Sequence, residues 1–518
     1  MSRDEQRGVA TWIEKAILAL LFVFAAFAPH SIAITQGAWL LGMALWVARF
    51  AFYPRPRLRR TPVDYALLGF FILTGISAIF SYEPLVSFGK VRAAALFTIV
   101  YLVAENVRSL RLVRLLALTL IASSLIGVLA VTGRQILGEG IRVEGVKPDS
   151  PLSAATLLPR AKSQPLPIAS GDTVLEVDGI EISTPEELAA ALAADPKAQP
   201  AQLKIFRLEW TPTLEVERGQ LLPGSTPEEQ LGISGWSRGR DSRAHGFFGH
   251  FTTYAETLQL IASLTLGLLL VQSRKLSRQS IRLAVAFTGL VWALALTLTR
   301  ASWAALLISA VLMFFLSRSR RALLIFLAGT IFLVIAGAMF LQQRRTVGFL
   351  DLQDLSTTWR LTVWREGVEL LLSKPRHLLV GVGMDSLKAH WREWGLFDGG
   401  RLPLGHMHSN PLQLALERGL PALLVWFWLL AAYVRMLFSL WWQKTRTVFD
   451  KEFSKVETES IPLQGIVLGA LGGTVGFFTS GLVHYNWGDS EVMMIFYFIM
   501  GLTLVIERNF RHPDPQSL

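Results

Sequence analysis

The chain has 518 residues, 52% of them hydrophobic and 17% charged, with a formal net charge of +11. Together with a positive mean hydropathy, this leaves too little polar surface for a soluble globular protein of that length and points to a polytopic membrane protein. There is no cysteine, which excludes disulfides, thiolate nucleophiles and cysteine-bound metals but says nothing firm about compartment.

Taken in chain order, the first apolar run, 17–27 with its flanks, is followed by no small-residue cleavage site. It reads as a retained span, not a signal peptide. About twelve spans follow from the ~20-residue length that crosses a bilayer. They lie near 12–29, 31–52, 63–80, 88–106, 111–132, 251–271, 281–299, 301–317, 321–341, 411–440, 462–484 and 489–506. Alternate connections are basic: "YPRPRLRR", "ENVRSLRLVR", "QSRKLSRQSIR", "SRSRR" and the tail "ERNFRH". The connections between them, "APHS", "SYEPLVS" and "HYNWGD", hold almost no Lys or Arg. The positive-inside rule then puts both termini in the cytoplasm. Outside lie an insert at 137–250, the 299–301 corner and a loop at 342–410. In a bacterial inner membrane, outside is the periplasm. The basic loops report topology and contact with anionic lipid. No aromatic-interleaved basic groove marks a nucleic-acid partner.

The insert breaks the hydrophobic pattern. "GDTVLEVDGIEI" alternates apolar and polar residues around Asp178-Gly179, which predicts two strands and a hairpin turn. "STPEELAAALAA" starts a helix, with Ser183 or Thr184 as N-cap and Pro185 in the first position. "QLKIFRLEW" alternates again as a strand. This order, with "LGEGIRVEGVKPDSPLSAA" upstream, resembles a bacterial PDZ domain over 137–222. The resemblance implies that Gly138, Glu139, Gly140 and Ile141 form a carboxylate-binding loop and that a protein partner could bind by β-augmentation. Two departures stand out. Residues 157–169 include an insertion, and acidic Glu139 would repel a peptide carboxylate. Residues 223–250, rich in Gly, Ser and charge, read as a linker. The domain plan is therefore 1–136 (spans one to five), 137–222, 223–250, 251–341 (spans six to nine), 342–410 (outer loop) and 411–518 (spans ten to twelve and tail).

Arg300 stands between two apolar runs in "LALTLTRASWAALL". A charge there is costly unless it pairs or faces water, so it is a functional candidate, with a snorkelling interface arginine as the plainer reading. Arg344 and Arg345, directly after a span, read as anchors. In the outer loop, "STTWRLTVWREGVELLLSKPRHLLVGVGMDSL" predicts an amphipathic helix, a turn at Lys374-Pro375, then a Gly-containing strand or loop. Arg360 and Arg365 would point about 140° apart on that helix. The loop ends in "GHMHSNPLQLALERG". Asn410 before Pro411 predicts an N-cap and first helical position, which leaves His408 just outside the tenth span. There a neutral imidazole, reached by water but backed by an apolar wall, could accept a proton from a hydroxyl. His406 and His408 could instead rest at the interface or begin a metal site. Zinc would need a third ligand, for which His377, His390 and His484 are candidates without fixed geometry.

These residues together carry a family resemblance. "HSNPLQLALERG", with His408, Ser409 and Gly419, is similar to the signature of the O-antigen ligase and polymerase superfamily. "TLTRASWAAL" resembles its arginine motif, and the Arg-led helix followed by Pro375, Gly381 and Gly383 resembles its outer-loop segment. The likeness is clearest over 250–440. It implies an all-α, GT-C-like membrane glycosyltransferase, here with an inserted α+β PDZ-like domain in an outer loop. Such enzymes serve lipopolysaccharide and polysaccharide biosynthesis. By that resemblance the donor is an undecaprenyl-pyrophosphate-linked glycan, no cofactor or metal is needed, His408 is the catalytic base, and Arg300 and Arg360 engage the pyrophosphate. His406, Arg365, Ser409 and Asn410 are accessory candidates. Two carboxylates placed as in a glycosidase are not evident; Glu417 is expected to pair with a neighbouring Arg. Where relatives often have another Gly soon after Gly419, this chain has Pro421-Ala422, where the helix can shift.

The acceptor would be lipid A-core for a ligase, the next lipid-linked repeat for a polymerase, or a protein hydroxyl for an O-oligosaccharyltransferase. A lipid-linked-glycan transporter would put charges along its span interiors. Here those interiors read as nearly charge-free apart from Arg300 and the Lys90–Arg92 entrance. A scaffold with an inert membrane part would leave Arg300, Arg360 and His408 without a reason to lie on one side.

Overall fold

The computed structural model describes residues 2–158, 165–193, 199–207, 211–240, 243–272, 276–317, 355–402, 404–444 and 463–511. They form two compact units: Met1–Gly127 with His245–Leu518, and Val128–Ala244. The first unit begins with α1 (Arg3–Phe27), α2 (Ile32–Arg49), α3 (Asp64–Ile79) and α4 (Pro84–Ala94). α4 runs through one 3-10 turn, Ala95–Phe97, into α5 (Thr98–Asn106), and α6 (Leu110–Leu137) follows. α1 starts where a sequence-local cap allows it. The Ser2 side chain accepts from the Glu5 N–H and the Glu5 side chain returns to the Ser2 N–H, satisfying two of the donors that a helix start leaves open.

The Val128–Ala244 unit holds β1 (Ile141–Glu144), β2 (Thr156–Leu157), β3 (Thr173–Val177), β4 (Ile180–Glu181), α7 (Pro185–Leu192), β5 (Ala201–Phe206), β6 (Thr213–Val216), α8 (Pro227–Leu231) and β7 (Gly235–Arg238). The sheet is ordered β2-β6-β5-β3-β1-β7, with β4 paired to β3, and every pairing is antiparallel. The hairpin at Asp178-Gly179 has both residues at positive φ, 53° and 80°, as a type I′ turn requires. Thr184 caps α7 by accepting from the Glu187 N–H, with Pro185 in the first turn. Ile141, Val143, Val174, Leu188, Leu203 and Leu214 meet in the core of this unit.

The structure overturns the linker expected at 223–250: Thr226 and Glu229 form a capping box that starts α8, and β7 pairs with the whole of β1. Strand pairing through main-chain groups leaves no mark on composition, so "GWSR" looks like connecting chain while it serves as a strand.

The first unit resumes with α9 (Phe251–Leu270), α10 (Arg278–Leu296), α11 (Arg300–Leu316), α12 (Leu355–Leu372), α13 (Pro375–Val380), α14 (Ser386–Ala389), α15 (Leu396–Gly400), α16 (Asn410–Lys444), α17 (Leu463–Gly481) and α18 (Ser490–Arg511). Among the described residues, nine helices are long and apolar enough to cross a membrane, with α4 and α5 counted together as one over Pro84–Asn106. Two shorter apolar helices, α3 and α11, accompany them. The chain is thus a mostly helical, polytopic membrane protein. The expected span at 321–341 and the anchors Arg344 and Arg345 lie outside the described residues. α9 and α17 touch backbone to backbone: a Cβ on Gly267 would overlap Gly465 and Gly469 of the facing helix. Small residues are what permit such an approach between apolar helices.

Candidate functional site

Side-chain bonds near one end of the helices join α3 to α16, α9 to the residue before α18, and both α11 and α17 to α9. Ser77 Oγ donates to Glu417 O (2.6 Å), Thr253 Oγ1 to Asp489 Oδ2 (3.0 Å) and Ser302 Oγ to Glu256 Oε1 (3.3 Å). The histidine loop, 405–409, enters this region. Its centre is pinned by Met407, which is fully buried. The Met407 N–H donates to Gln413 Oε1 (2.7 Å), and Trp364 Nε1 donates to its carbonyl (2.7 Å). With Met407 locked inward, the residues on either side are held against each other. The His406 and His408 rings stand 4.0 Å apart between centroids. His408 takes a left-handed backbone, φ 48°, and its N–H donates to His406 Nδ1 (3.1 Å). That bond makes His406 Nδ1 an acceptor and fixes its tautomer when the ring is neutral.

α12 supplies the other wall. The Trp359 ring meets His408 edge-on at 4.3 Å, and the Arg360 guanidinium is close enough to act on His408 electrostatically. Burial, then the His406 and Arg360 charges, push His408 down to about 2. Burial, then His484 and Lys388, push His406 down to about 4. Both rings are therefore neutral at pH 7. Arg365 leaves on another face of α12: its side chain is 71% exposed and lies 4.0 Å from Glu369. Of the two arginines on this helix, Arg360 is the one brought to His408. Arg300 begins α11, two residues before Ser302, which bonds to the buried acid described next.

Glu256, on α9, is fully buried and accepts from Ser302, from Ser480 Oγ (2.6 Å) and from Asn486 Nδ2 (3.0 Å). His484 Nδ1 lies 2.9 Å from it. His484 in turn acts electrostatically on both His406 and His408. The sequence reading missed Glu256, although a lone acid within "TYAETLQLIASL" is the signal that singled out Arg300. The span interiors are less charge-free than they read.

Asn410 is not the N-cap of α16. The helix already includes it, and the Gln413 N–H bonds to Ser409 O, so Ser409 stands at the cap position. The Asn410 side chain instead donates to Asn486 Oδ1 (2.6 Å) and accepts from the Trp487 N–H (3.1 Å). Local sequence favours Asn as a cap, but here a partner far along the chain claims its amide. α16 also breaks at Gly419, φ 80°, ψ 166°. A Cβ on Gly419 would overlap Leu379 O, and one on Gly381 would overlap the Glu417 carbonyl group. The carbonyls freed by the break are taken up by the facing turn: Val382 N–H bonds to Leu416 O (2.7 Å) and Gly383 N–H to Glu417 O (3.0 Å). Pro421 falls in the first turn after the break, where its missing N–H costs nothing. Glu417 pairs with Arg418 (3.0 Å), as expected, and also accepts from Gln413 and Tyr485.

Two cavities open at this region. A cleft of about 200 Å³ includes His406, Lys90, Asp385, Lys388, Tyr485 and Trp487 in its lining. Burial opposes ionisation of Asp385, but the Lys90 and Lys388 ammonium groups outweigh it and hold the carboxyl below its usual range. The other is an apolar groove of about 380 Å³ with Trp364, Val368, Leu371, Ser409, Leu412 and Leu423 in its walls. Among the described residues, no three His, Cys, Asp or Glu side chains are grouped to hold a metal ion. His377 lies 2.9 Å from Tyr82 Oη, and His390 lies between Glu83 and Glu393. The loop Gly138, Glu139, Gly140 and Ile141 belongs to the other unit, where the Glu139 N–H donates to Gly239 O (2.7 Å).

The fold and this constellation define a polytopic membrane protein with neutral histidines and an arginine at the gathered ends of its helices. Residues 283–427 match the family model described as O-antigen ligase, a little over a quarter of the chain. That match supports the O-antigen ligase superfamily and points to a glycosyltransferase-type enzyme of the ligase or polymerase kind. No curated protein matches the chain. The matched segment contains Arg300, Arg360, His406 and His408; Glu256 and His484 lie outside it.

Proposed function

We propose that the protein transfers a glycan from undecaprenyl pyrophosphate to an acceptor hydroxyl, with His408 as general base and Arg300 and Arg360 stabilising the departing pyrophosphate. The observation that supports the reading is the packing of the His408 ring against Trp359, the neighbour of Arg360 on α12, inside the segment that matches O-antigen ligase. In the step itself, the acceptor oxygen bonds to the anomeric carbon as the bond from that carbon to pyrophosphate breaks. The hydroxyl proton goes to a ring nitrogen of His408, and the lipid pyrophosphate leaves as the anion. Direct displacement inverts the anomeric configuration. Lipid pyrophosphate is a good leaving group, so charge stabilisation by arginine forks can take the place of a metal.

The unloaded site favours neutral His408 strongly, which makes it ready to accept a proton but a weak base. Donor binding corrects this: the anion offsets Arg360 and raises the basicity of His408 when it is needed. Ser409, the neighbour of His408, lines the apolar groove, so a polyprenyl tail lying there would pass close to the histidine loop. The cleft beside His406 has paired charges and aromatic rings, which suits a neutral, hydroxyl-rich acceptor better than a pyrophosphate. Within this reading the site faces the periplasm of a bacterial inner membrane, both termini are cytoplasmic, and 137–222 is a PDZ-like module. The test is reconstituted transfer from lipid-pyrophosphate donor in the presence of chelator, with the product anomer read by NMR. Transfer with inversion supports the mechanism; retention, or transfer abolished by chelator, contradicts it.

A further inference from the structure

β1 is an inner strand only because β7 lies against it. One edge pairs with β3, Ile141 with Val174 and Arg142 with Thr173. The other pairs with β7 along its full length, from Ile141–Arg238 to Glu144–Gly235. β7 is short, ends the sheet, and reaches β1 from beyond all the other strands in sequence. Its side chains do little to hold it. Trp236 alone packs on the core, while Ser237 and Arg238 are exposed. The hold comes from the main chain and from the turn before β1. Gly138 and Gly140 take φ of 81° and 70°, and the Glu139 N–H between them donates to Gly239 O (2.7 Å). A Cβ on Gly239 would overlap Thr173 and the Glu139 carbonyl. Arg238 Nη1 reaches Ser183 O (3.3 Å), just before α7.

An edge read through main-chain bonds accepts any extended segment of suitable shape. We propose that residues 235–239 are a built-in ligand, filling in cis a peptide-docking edge made by β1 and the 138–140 turn. An extended polypeptide from another chain enters only when this strap is displaced. The Glu139 carboxylate, 3.6 Å from Arg134, stands at the same turn and disfavours a terminal carboxylate. The foreign ligand is therefore an internal segment with a residue as small as glycine at the position of Gly239. Tethering gives the strap an effective concentration on the order of millimolar, so micromolar free peptide is kept out.

The test uses the full chain in nanodiscs, the labelled peptide Ile-Ser-Gly-Trp-Ser-Arg-Gly-Arg, and two variants. Gly239→Val blocks the chain's own strap but not the added peptide; the second variant replaces 235–239 with a Gly-Ser repeat. Hydrogen exchange should find the amides of 235–239 protected in wild type and open in Gly239→Val, with β3 and β5 protected in all three proteins. Fluorescence anisotropy should find the peptide bound at least ~10-fold more tightly by both variants than by wild type. Equal binding by wild type and variants, open amides without binding, or a strap still protected in Gly239→Val would each overturn the proposal. So would loss of β3 and β5 protection in both variants, which would make β7 an integral strand.

Discussion

At the residue scale, the histidine pair is defined by what surrounds it. Met407 is locked inward by Gln413 and Trp364, and burial beside Arg360 keeps His408 neutral. The sign of the pH dependence follows. A histidine whose pKa is lowered to about 2 does not lose its free base on mild acidification. On the present account kcat/KM, which reports the unloaded enzyme, stays level from pH 7 to about pH 5. A limb near the ordinary histidine value, about 6.5, would count against His408 as the base in this environment. Arg360→Gln removes a positive neighbour and so raises the His408 pKa; its acid limb should move to higher pH and its donor KM should rise. Glu256→Gln should lower kcat by ~10-fold or more, because an amide nitrogen would face donors that now meet a carboxylate. It should also cost about 1–3 kcal/mol of stability, read by thermal unfolding. Unchanged kcat would make Glu256 a packing group with no bearing on the histidines. In the sequence Arg300 stands out as a charge between apolar runs and His408 as an imidazole ahead of a span, whereas Arg360 is singled out by the family resemblance. Which arginine of α12 reaches His408 could not, since helix spacing separates two residues but does not say which faces a partner.

At the element scale, the break in α16 and the 381–383 turn form one device. The turn's N–H groups take the carbonyls that the break releases, and neither backbone could approach the other with a Cβ at Gly381 or Gly419. Gly419→Ala is therefore expected to destabilise the protein by about 1–3 kcal/mol through its positive φ and the overlap with Leu379. Gly75→Ala, in α3 with open space around it, should be neutral within about 0.5 kcal/mol. Equal melting shifts for the two would remove the packing argument. Much of the element plan was legible. The helix start at Thr184 and the Asp178-Gly179 turn are set by local chemistry, and local chemistry is what a sequence displays. The pairing of β7 with β1 and the bond from Asn410 to Asn486 are long-range, and residue types that favour a cap or a linker locally were claimed by distant partners.

At the scale of the whole molecule, polar hydrogen bonding gathers the helix ends where His408, Arg360 and Glu256 sit, while close glycine contacts seat α9 against α17. An apolar groove and a polar cleft open beside the same loop, as a reaction between a lipid-borne donor and a hydrophilic acceptor would require. The most direct measurement is glycan transfer from lipid-pyrophosphate donor by purified wild type and His408→Ala, with donor binding measured on both. His408→Ala is expected to bind donor within about threefold of wild type and to lose about 10²–10⁴ in transfer rate. Transfer by the variant at the wild-type rate would remove His408 from the chemistry.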